Sequence, residues 1–146
     1  MQSKQLSLVF LLALTTSCKG FEAEAPEGFA SFDEIRQFRA VSADGVTYRV
    51  RMEKNDPEAD LAFWREALKN RMTNAGYAFV RDGEIEASGL PGYMVELAAP
   101  VGQADYTYLV TIFVKNKRII IAEAAGEVTH FVTHEAAINK ALTQIH

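Results

Sequence analysis

The sequence predicts an α+β fold, a largely antiparallel β-sheet flanked by two main helices, on three observations. Short extended runs are separated by turn residues, and hairpins of this kind produce antiparallel neighbours. Two longer segments repeat apolar residues at helical spacing. About 115 residues remain for the fold, which is enough for one independent core. The predicted order is β-β-α-β-β-β-β-α, give or take one strand.

The first hairpin is predicted from residues 37–41 and 46–52, which flank the Asp44-Gly45 step. Asp-Gly between extended runs is a strong hairpin signal. One face of the second run carries Val46, Tyr48, Val50 and Met52, and the other carries Thr47, Arg49, Arg51 and Glu53. This alternation predicts a strand with one buried face and one solvent-exposed, basic face.

The first helix is predicted to open at the stretch Asn55-Asp56-Pro57, where Asn55 or Asp56 can cap it and proline fits the first turn. Its apolar residues recur at helical spacing, at Leu61, Trp64, Leu68, Met72 and Ala75. Gly76 is predicted to end this helix, because glycine adopts the backbone conformation that follows a helix.

The second half of the chain predicts further strands and a final helix. The expected strands cover residues 77–81, 84–87, 93–98, 106–114 and 118–125. Turns are expected at 82–83 and 116–117, and residues 90–92 are expected to interrupt the extended structure between two strands. The last two strands lack strict alternation, which predicts central strands covered on both faces. The second helix is predicted over residues 127–145.

The composition excludes several classes of protein. An apolar share of 49% is too high for a disordered chain. The net charge of −4 argues against a nucleic-acid binder, and one cysteine excludes an internal disulfide framework or a cysteine-rich zinc site. The patterns of serine hydrolases, phosphate loops and dinucleotide-binding proteins are missing from the sequence. We therefore expect a protein that is not an enzyme and has no cofactor.

Residues 1–17 have the features of a secretory signal peptide. A short start that contains Lys4 precedes an apolar run over residues 6–14, and small residues follow the run. The run is about half of the ~20 residues that span a bilayer as a helix. A stable transmembrane segment is therefore not expected here.

The stretch Leu14-Thr15-Thr16-Ser17-Cys18 resembles the lipobox of bacterial lipoproteins, although Thr15 stands where the family usually has leucine. The resemblance implies that Cys18 is acylated, with palmitate among the acyl chains, and becomes the first mature residue. Lys19, which is not aspartate, implies anchoring to the outer membrane facing the periplasm; the inner membrane and the cell surface stay open. The alternative is an ordinary cut after Ser17 that leaves a free thiol.

These features divide the chain into three parts. Residues 1–17 are the expected signal peptide, residues 18–29 the lipidated cysteine with a flexible tether, and residues 30–146 one α+β domain. The tether is expected because the segment is acidic and contains Pro26 and Gly28.

Three stretches of the domain resemble the Mog1/PsbP-like family, which includes small bacterial lipoproteins. They are GLPGY at residues 89–93, YTY at 106–108 and IAEAAG at 121–126. The resemblance covers most of residues 30–145. It implies an α/β/α sandwich and a non-catalytic domain that binds a partner protein, and it supplies no catalytic residues.

Glu123 is unusual because it lies inside an apolar predicted strand. A two-residue turn at 116–117 places Val110 opposite Glu123 and Tyr108 diagonal to it on the same face. A carboxylate in such a place must be paired or change its pKa, so Glu123 and Tyr108 are candidate binding residues. A purely structural hydrogen bond to Tyr108, to an arginine or to the amides of the last helix is favoured.

Arg39, Arg49 and Arg51 are predicted to form a basic stripe on the outer face of the first hairpin. The stripe is a candidate patch for an acidic protein or anionic lipid head groups. A solvated strand face that resists aggregation is favoured. His130 and His134 are four residues apart, a spacing that can serve one metal ion, but the second histidine of the zinc-protease motif is missing. A surface pair is favoured over a metal site.

The sequence therefore predicts a lipid-anchored envelope protein that binds a protein partner or assists envelope assembly, without catalysis and without nucleic acid. The alternative is a periplasmic lipoprotein that binds a small ligand or a metal. That protein would use the sheet face around Tyr108 and Glu123, or the pair His130 and His134.

Overall fold

The computed structural model describes residues 20–146 of the protein. These residues form seven strands and two helices: β1 (Phe29–Asp33), β2 (Gln37–Ser42), β3 (Thr47–Lys54), α1 (Leu61–Asn74), β4 (Ala78–Ala87), β5 (Leu90–Val101), β6 (Ala104–Lys115), β7 (Arg118–Glu127) and α2 (Val128–Thr143). All strands pair antiparallel in one sheet, in the order β1-β2-β3-β7-β6-β5-β4. The α+β prediction is confirmed, and β6 and β7 lie at the centre as predicted.

One helix covers each face of the sheet, because the central strands have apolar side chains on both faces. Ile120 of β7 packs towards α2, whereas its neighbours Ile119 and Ile121 pack towards α1. The α2 side also buries Tyr48, Val50, Phe113, Phe131, Ile138 and Leu142. The α1 side contains Val95, Val110, Ile112, Leu61, Trp64, Leu68 and Met72. The α/β/α arrangement implied by the resemblance is therefore present.

The first helix begins later than predicted. Asp60 caps it, accepting a hydrogen bond of 2.9 Å from the main-chain N–H of Phe63. Asn55 instead organises the loop before the helix. Its side-chain amide donates a hydrogen bond to the Ala59 carbonyl, and its side-chain oxygen accepts one from the Ala59 main-chain N–H. The same oxygen accepts a hydrogen bond of 2.6 Å from the Trp64 indole N–H. The prediction of a helix start at residues 55–57 is wrong, because Asn55 is buried and its side chain is used by this loop.

The turn expected at residues 82–83 lies within β4. Asp82 is paired with Val95 across the sheet, and its carboxylate accepts a 2.7 Å hydrogen bond from the Tyr93 hydroxyl. The chain reverses instead at Ser88-Gly89, where both residues have positive φ. The break expected at residues 90–92 is also wrong, because these residues begin β5.

The amino-terminal part of the described chain is docked on the domain. Phe21 is buried in the α2-side core, and the main chains of Glu22 and His146 exchange hydrogen bonds of 2.6 and 3.2 Å. The flexible tether expected over residues 18–29 is therefore wrong from Phe21 onwards. The expected signal peptide and Cys18 lie outside the described residues. Neither helix within residues 20–146 has the length and apolar character to cross a membrane.

Candidate functional site

The α1-side surface of β1, β2, β3 and β7 carries the candidate binding residues, and we call it the open face. Helix α1 packs on β5 and β6 on this side of the sheet. The open face lies beside α1 and includes Arg39, Thr47, Arg49, Arg51 and Glu123, with Tyr108 of β6 at its border. The polar face predicted for the strand over residues 46–52, which corresponds to β3, is thus confirmed. This face continues onto β7, the strand that carries Glu123.

The strand register brings two separately predicted features into one cluster. Arg39 is opposite Arg49, Arg49 is opposite Glu123, and Glu123 is opposite Val110. The predicted Val110–Glu123 pairing is confirmed. The sequence favoured Tyr108, an arginine or helix amides as partners of Glu123, but it did not predict that β3 lies next to β7. Which arginine binds Glu123 therefore appears only in the tertiary structure.

Glu123 is surrounded by donors. The guanidinium of Arg49 donates to its Oε2 from Nε at 2.8 Å and from Nη2 at 2.5 Å. The Tyr108 hydroxyl donates to Oε1 at 2.5 Å, and Arg51 Nε lies 3.8 Å from Oε2. The side chain of Glu123 is only 10% exposed. Charge-assisted hydrogen bonds of this kind compensate the loss of hydration that burial imposes on a carboxylate.

Tyr108 acts as a hydrogen-bond donor in this cluster. Burial raises the pKa of its hydroxyl above the ordinary value, and the hydrogen bond to the Glu123 carboxylate acts in the same direction. The Tyr77 ring lies beside it, with 5.4 Å between ring centroids. The neutral phenol therefore persists well above neutral pH and holds one oxygen of Glu123 in place.

The arginines of the open face are paired with acidic side chains. Arg39 lies 3.0 Å from Glu34, and its guanidinium stands 5.9 Å from the centre of the Phe32 ring. Arg51 is within 3.9 Å of Glu53 as well as close to Glu123. The predicted stripe exists, but it is an ion-pair network and not a run of uncompensated positive charge.

A cavity of about 380 Å³ opens on this face next to Glu123. Its polar lining comes from Arg39, Thr47, Arg49, Tyr108 and Glu123, and Phe32 is its exposed aromatic wall. Arg39 is half exposed and Arg49 is 43% exposed, so both guanidinium groups are accessible from solvent. Glu123 orients Arg49, and the accessible N–H groups can bind a carboxylate or another planar anion.

His130 and His134 lie together at the start of α2, beside Asp44 of the first hairpin turn. His134 Nε2 is 2.9 Å from Asp44 Oδ1, and His130 Nδ1 is 3.5 Å from Oδ2. The Ser42 hydroxyl, more than His134, holds the pKa of the Asp44 carboxyl below its usual range. Within residues 20–146 no group of three or more metal-binding side chains is arranged to hold an ion. No local pattern predicts that Asp44 joins the two histidines, because 90 residues separate it from His134.

Comparison of the sequence with protein-family models and with curated proteins gives no match. Comparison of structures does give matches. LpqN from Mycobacterium tuberculosis, described as involved in cell envelope biogenesis, has a TM-score of 0.70 at 11% identity, covering 86% of this chain and 81% of LpqN. PA94 from Pseudomonas aeruginosa, a protein of unknown function, has a TM-score of 0.63 at 10% identity, covering 79% of this chain and 94% of PA94.

A third similar structure is cyanobacterial PsbP (CyanoP) from Synechocystis sp. PCC 6803. Its TM-score is 0.60 at 12% identity, and the match covers 88% of this chain and 86% of CyanoP. Identities at this level show a shared fold and nothing further. The PsbP-like fold implied by the sequence resemblance is thereby confirmed.

Proposed function

We propose that this protein is a lipid-anchored cell-envelope protein whose domain binds a partner protein or assists envelope assembly, without catalysis. The signal-like residues 1–17 and the lipobox-like sequence ending at Cys18 support the anchor. LpqN, which shares the fold, is described as involved in cell envelope biogenesis. The proposed location is the periplasmic side of the outer membrane.

The open face is the observation that carries this proposal. It presents the half-exposed guanidinium of Arg39, the accessible edge of Arg49 and the half-exposed ring of Phe32 on one rigid sheet surface. Arginine and aromatic side chains are the residues that most often dominate binding energy in protein interfaces. A partner that brings acidic and apolar side chains fits this surface.

The contacts of Glu123 support a non-catalytic role. Both of its oxygens already accept hydrogen bonds, from Arg49 and from Tyr108. A general base or a nucleophile must reach the substrate, whereas the Glu123 side chain is only 10% exposed. The carboxylate instead fixes the two donors around it, which is how a rigid binding surface is prepared before contact.

Photo-crosslinking in intact cells tests the proposal. A photoreactive amino acid at Thr47, which is exposed on the open face, should capture a specific envelope protein. The same amino acid at Val132, which is 62% exposed on α2, is the matched control on the opposite side of the molecule. Adding Arg39→Glu, at a half-exposed position whose ion pair is with Glu34, should remove the product at Thr47. Equal products at both positions, or none at Thr47, would reject the open face as the interface.

The anchor has its own test, which does not involve the open face. Cys18→Ala should abolish acylation, measured by metabolic labelling with a fatty-acid analogue, and should release the protein from the membrane fraction. A variant that remains membrane-bound and processed would show that the lipobox interpretation is wrong.

The cavity beside Glu123 favours a second candidate function, the binding of a small anionic ligand. Its volume of about 380 Å³ is at the lower end of the range for small-molecule sites. Titration calorimetry with a series of small carboxylates would detect this activity, and Arg39→Gln should weaken it. Tight binding of a small carboxylate, combined with no crosslinked protein, would favour this function over the first.

A further inference from the structure

Five positively charged side chains gather at one end of the sheet, which we call the basic end. They are Arg36, Lys54, Lys115, Lys117 and Arg118. The register holds them together: Lys54 is opposite Arg118 on β3 and β7, and Lys115 is opposite Arg118 on β6 and β7. All five are exposed, and none forms an ion pair with a described acidic side chain. In this respect they differ from the paired arginines of the open face.

The acidic groups near the basic end lie on its flanks or are paired with other side chains, and Glu34, next to Ile35, pairs with Arg39 at 3.0 Å. A cavity of about 640 Å³ lies between four of these cations, Arg36, Lys115, Lys117 and Arg118, and is lined by no acidic residue. Glu22 is engaged with His146 at 3.0 Å, and Glu53 faces Arg51 at 3.9 Å. Asp56 and Glu58 belong to the loop that leads to α1. The surface around the cavity is therefore locally positive, although the whole chain has a net charge of −4.

An unusually exposed apolar residue accompanies these cations. Ile35, in the turn between β1 and β2, is 90% exposed and is the most exposed large hydrophobic side chain within residues 20–146. Its neighbour Arg36 lines the basic cavity. Burying an isoleucine side chain away from water is favourable by about 2 kcal/mol, so an apolar surface that covered Ile35 would gain this free energy.

The start of the described chain lies at the same end. Gly20 lines the basic cavity together with Arg36 and Met52. From Phe21 onwards the chain is fixed to the domain, so only two residue steps separate Cys18 from this surface. At full extension two residues span about 7 Å.

From these observations we infer that the basic end rests on a bilayer that contains anionic phospholipids, with Lys115, Lys117 and Arg118 against the head groups and Ile35 in the interface. The inference rests on the proposed acylation of Cys18, which supplies the short attachment. In this orientation the strands rise from the membrane, and the open face remains accessible at the side. Clustered lysine and arginine next to a lipid anchor strengthen attachment to anionic membranes.

Footprinting of the native lysines tests the orientation without mutation. The full chain, acylated in a bacterial host and reconstituted in vesicles, is treated with a membrane-impermeant amine reagent and analysed by mass spectrometry. Lys54, Lys115 and Lys117 should react several-fold more slowly in anionic vesicles than in detergent. Lys69 on α1 and Lys140 on α2 are the internal controls and should react alike in both. Equal protection of all five, or of none, would overturn the orientation.

Vesicle sedimentation tests the surface independently of the anchor. Residues 18–146 with Cys18→Ser contain both cores and every strand and helix described above. This chain should bind vesicles of phosphatidylcholine with about 30% phosphatidylglycerol, and about 0.5 M salt should release it. Vesicles of phosphatidylcholine alone should bind it much less.

Two pairs of substitutions with the same change in net charge separate a local surface from a general charge effect. Lys115→Gln with Lys117→Gln should weaken binding to anionic vesicles by about tenfold or more. Lys69→Gln with Arg81→Gln, which lie on α1 and β4 and pair with Asp82 and Glu135, should change it by less than about twofold. An equal loss in both pairs, or no binding by the parent chain, would reject the basic end as a membrane surface. Either result leaves the open-face crosslink intact, so the two proposals fail separately.

Substitution of Ile35 tests the apolar contribution to vesicle binding separately from the contribution of charge. Ile35→Ser leaves the net charge unchanged and should still reduce vesicle binding several-fold, whereas Val132→Ser, at another exposed apolar site, should not. Equal effects of the two substitutions would show that Ile35 does not enter the interface.

Discussion

The hydroxyl of Tyr108 lies 2.5 Å from Oε1 of Glu123, while Arg49 occupies Oε2 of the same carboxylate. These residues come from three adjacent strands, β6, β7 and β3. In this cluster the tyrosine hydroxyl and the arginine guanidinium both donate, and Glu123 is their shared acceptor. The cluster therefore fixes the part of the sheet on which the open face is built.

Glu123→Gln should lower the free energy of unfolding by about 1–3 kcal/mol, because it replaces charge-assisted hydrogen bonds with neutral ones beside a cation. Urea denaturation followed by circular dichroism measures the change. Glu53→Gln removes an exposed carboxylate that lies 3.9 Å from Arg51, and should cost less than about 0.5 kcal/mol. Equal effects of the two substitutions would mean that the Glu123 cluster adds no stability.

Gly92→Ala should destabilise the protein by about 1–3 kcal/mol, since the new methyl group would clash with the Phe113 ring and would lie 2.8 Å from the Ile112 carbonyl oxygen. Gly83→Ala on the neighbouring β4 is the matched control, because nothing lies within 4 Å of its added methyl group. That change should be neutral or stabilising by up to about 1 kcal/mol. The midpoints of urea unfolding compare the two, and a tolerated Gly92→Ala would contradict the close contact with Phe113.

Asn55→Ala should cost about 2–3 kcal/mol, because the Trp64 indole N–H and the Ala59 main-chain N–H lose their acceptor in a buried loop. The fluorescence of Trp64, the only tryptophan, should report the altered environment in the native state. Asn70→Ala, at an exposed position of α1, should be neutral or slightly stabilising because alanine favours helix. A stable Asn55→Ala variant with unchanged emission would show that the loop does not depend on this side chain.

Part of the stability of the fold should depend on pH through the ionisation of Asp82. The hydroxyl of Tyr93 holds the pKa of the Asp82 carboxyl below its ordinary value of 3.8, and Lys69 and Arg65 act in the same direction. A carboxylate with a lowered pKa stabilises the fold above its unfolded-state pKa, and the stabilisation is lost as the pH falls through the folded-state pKa.

The Asp82→Asn variant should therefore have a lower Tm than the parent at pH 7, and the difference should shrink below about pH 4. Thermal unfolding at a series of pH values measures it. Asp105→Asn, which removes an exposed carboxylate near the start of β6, should show little difference at any pH. A gap for Asp82→Asn that grows on acidification would have the wrong sign for this linkage.

Local patterns predicted most of the sheet correctly. The alternation of β3, the apolar runs of β6 and β7 and the turn at 116–117 are properties of neighbouring residues, and they were sufficient for the Val110–Glu123 register. The same reasoning failed at Asp82, whose Asp-Gly step is a turn signal in isolation. There the bonds to Tyr93 and the pairing with β5 outweigh the local preference.

The docked amino-terminal segment has an alternating apolar pattern, but its acidic composition led to the prediction of a flexible tether. Phe21, Ala23 and Ala25 alternate with Glu22 and Glu24, and the three apolar side chains pack against the α2-side core. Strand β1 was also missed, because its five residues carry no turn signal of their own and are ordered by pairing with β2. In both segments the stabilising contacts come from distant residues.

The sequence by itself determined the fold class, the central position of the two most apolar strands, the register of their hairpin and the identity of the polar residues on the open face. These properties follow from period-two patterns and turn residues, which act over a few positions. Only the tertiary structure decided that Arg49 binds Glu123, that Asp44 lies beside His134, and that Gly20 stands among the cations of the basic end. Such contacts depend on which strands become neighbours, and that is set by burial of the two cores as a whole.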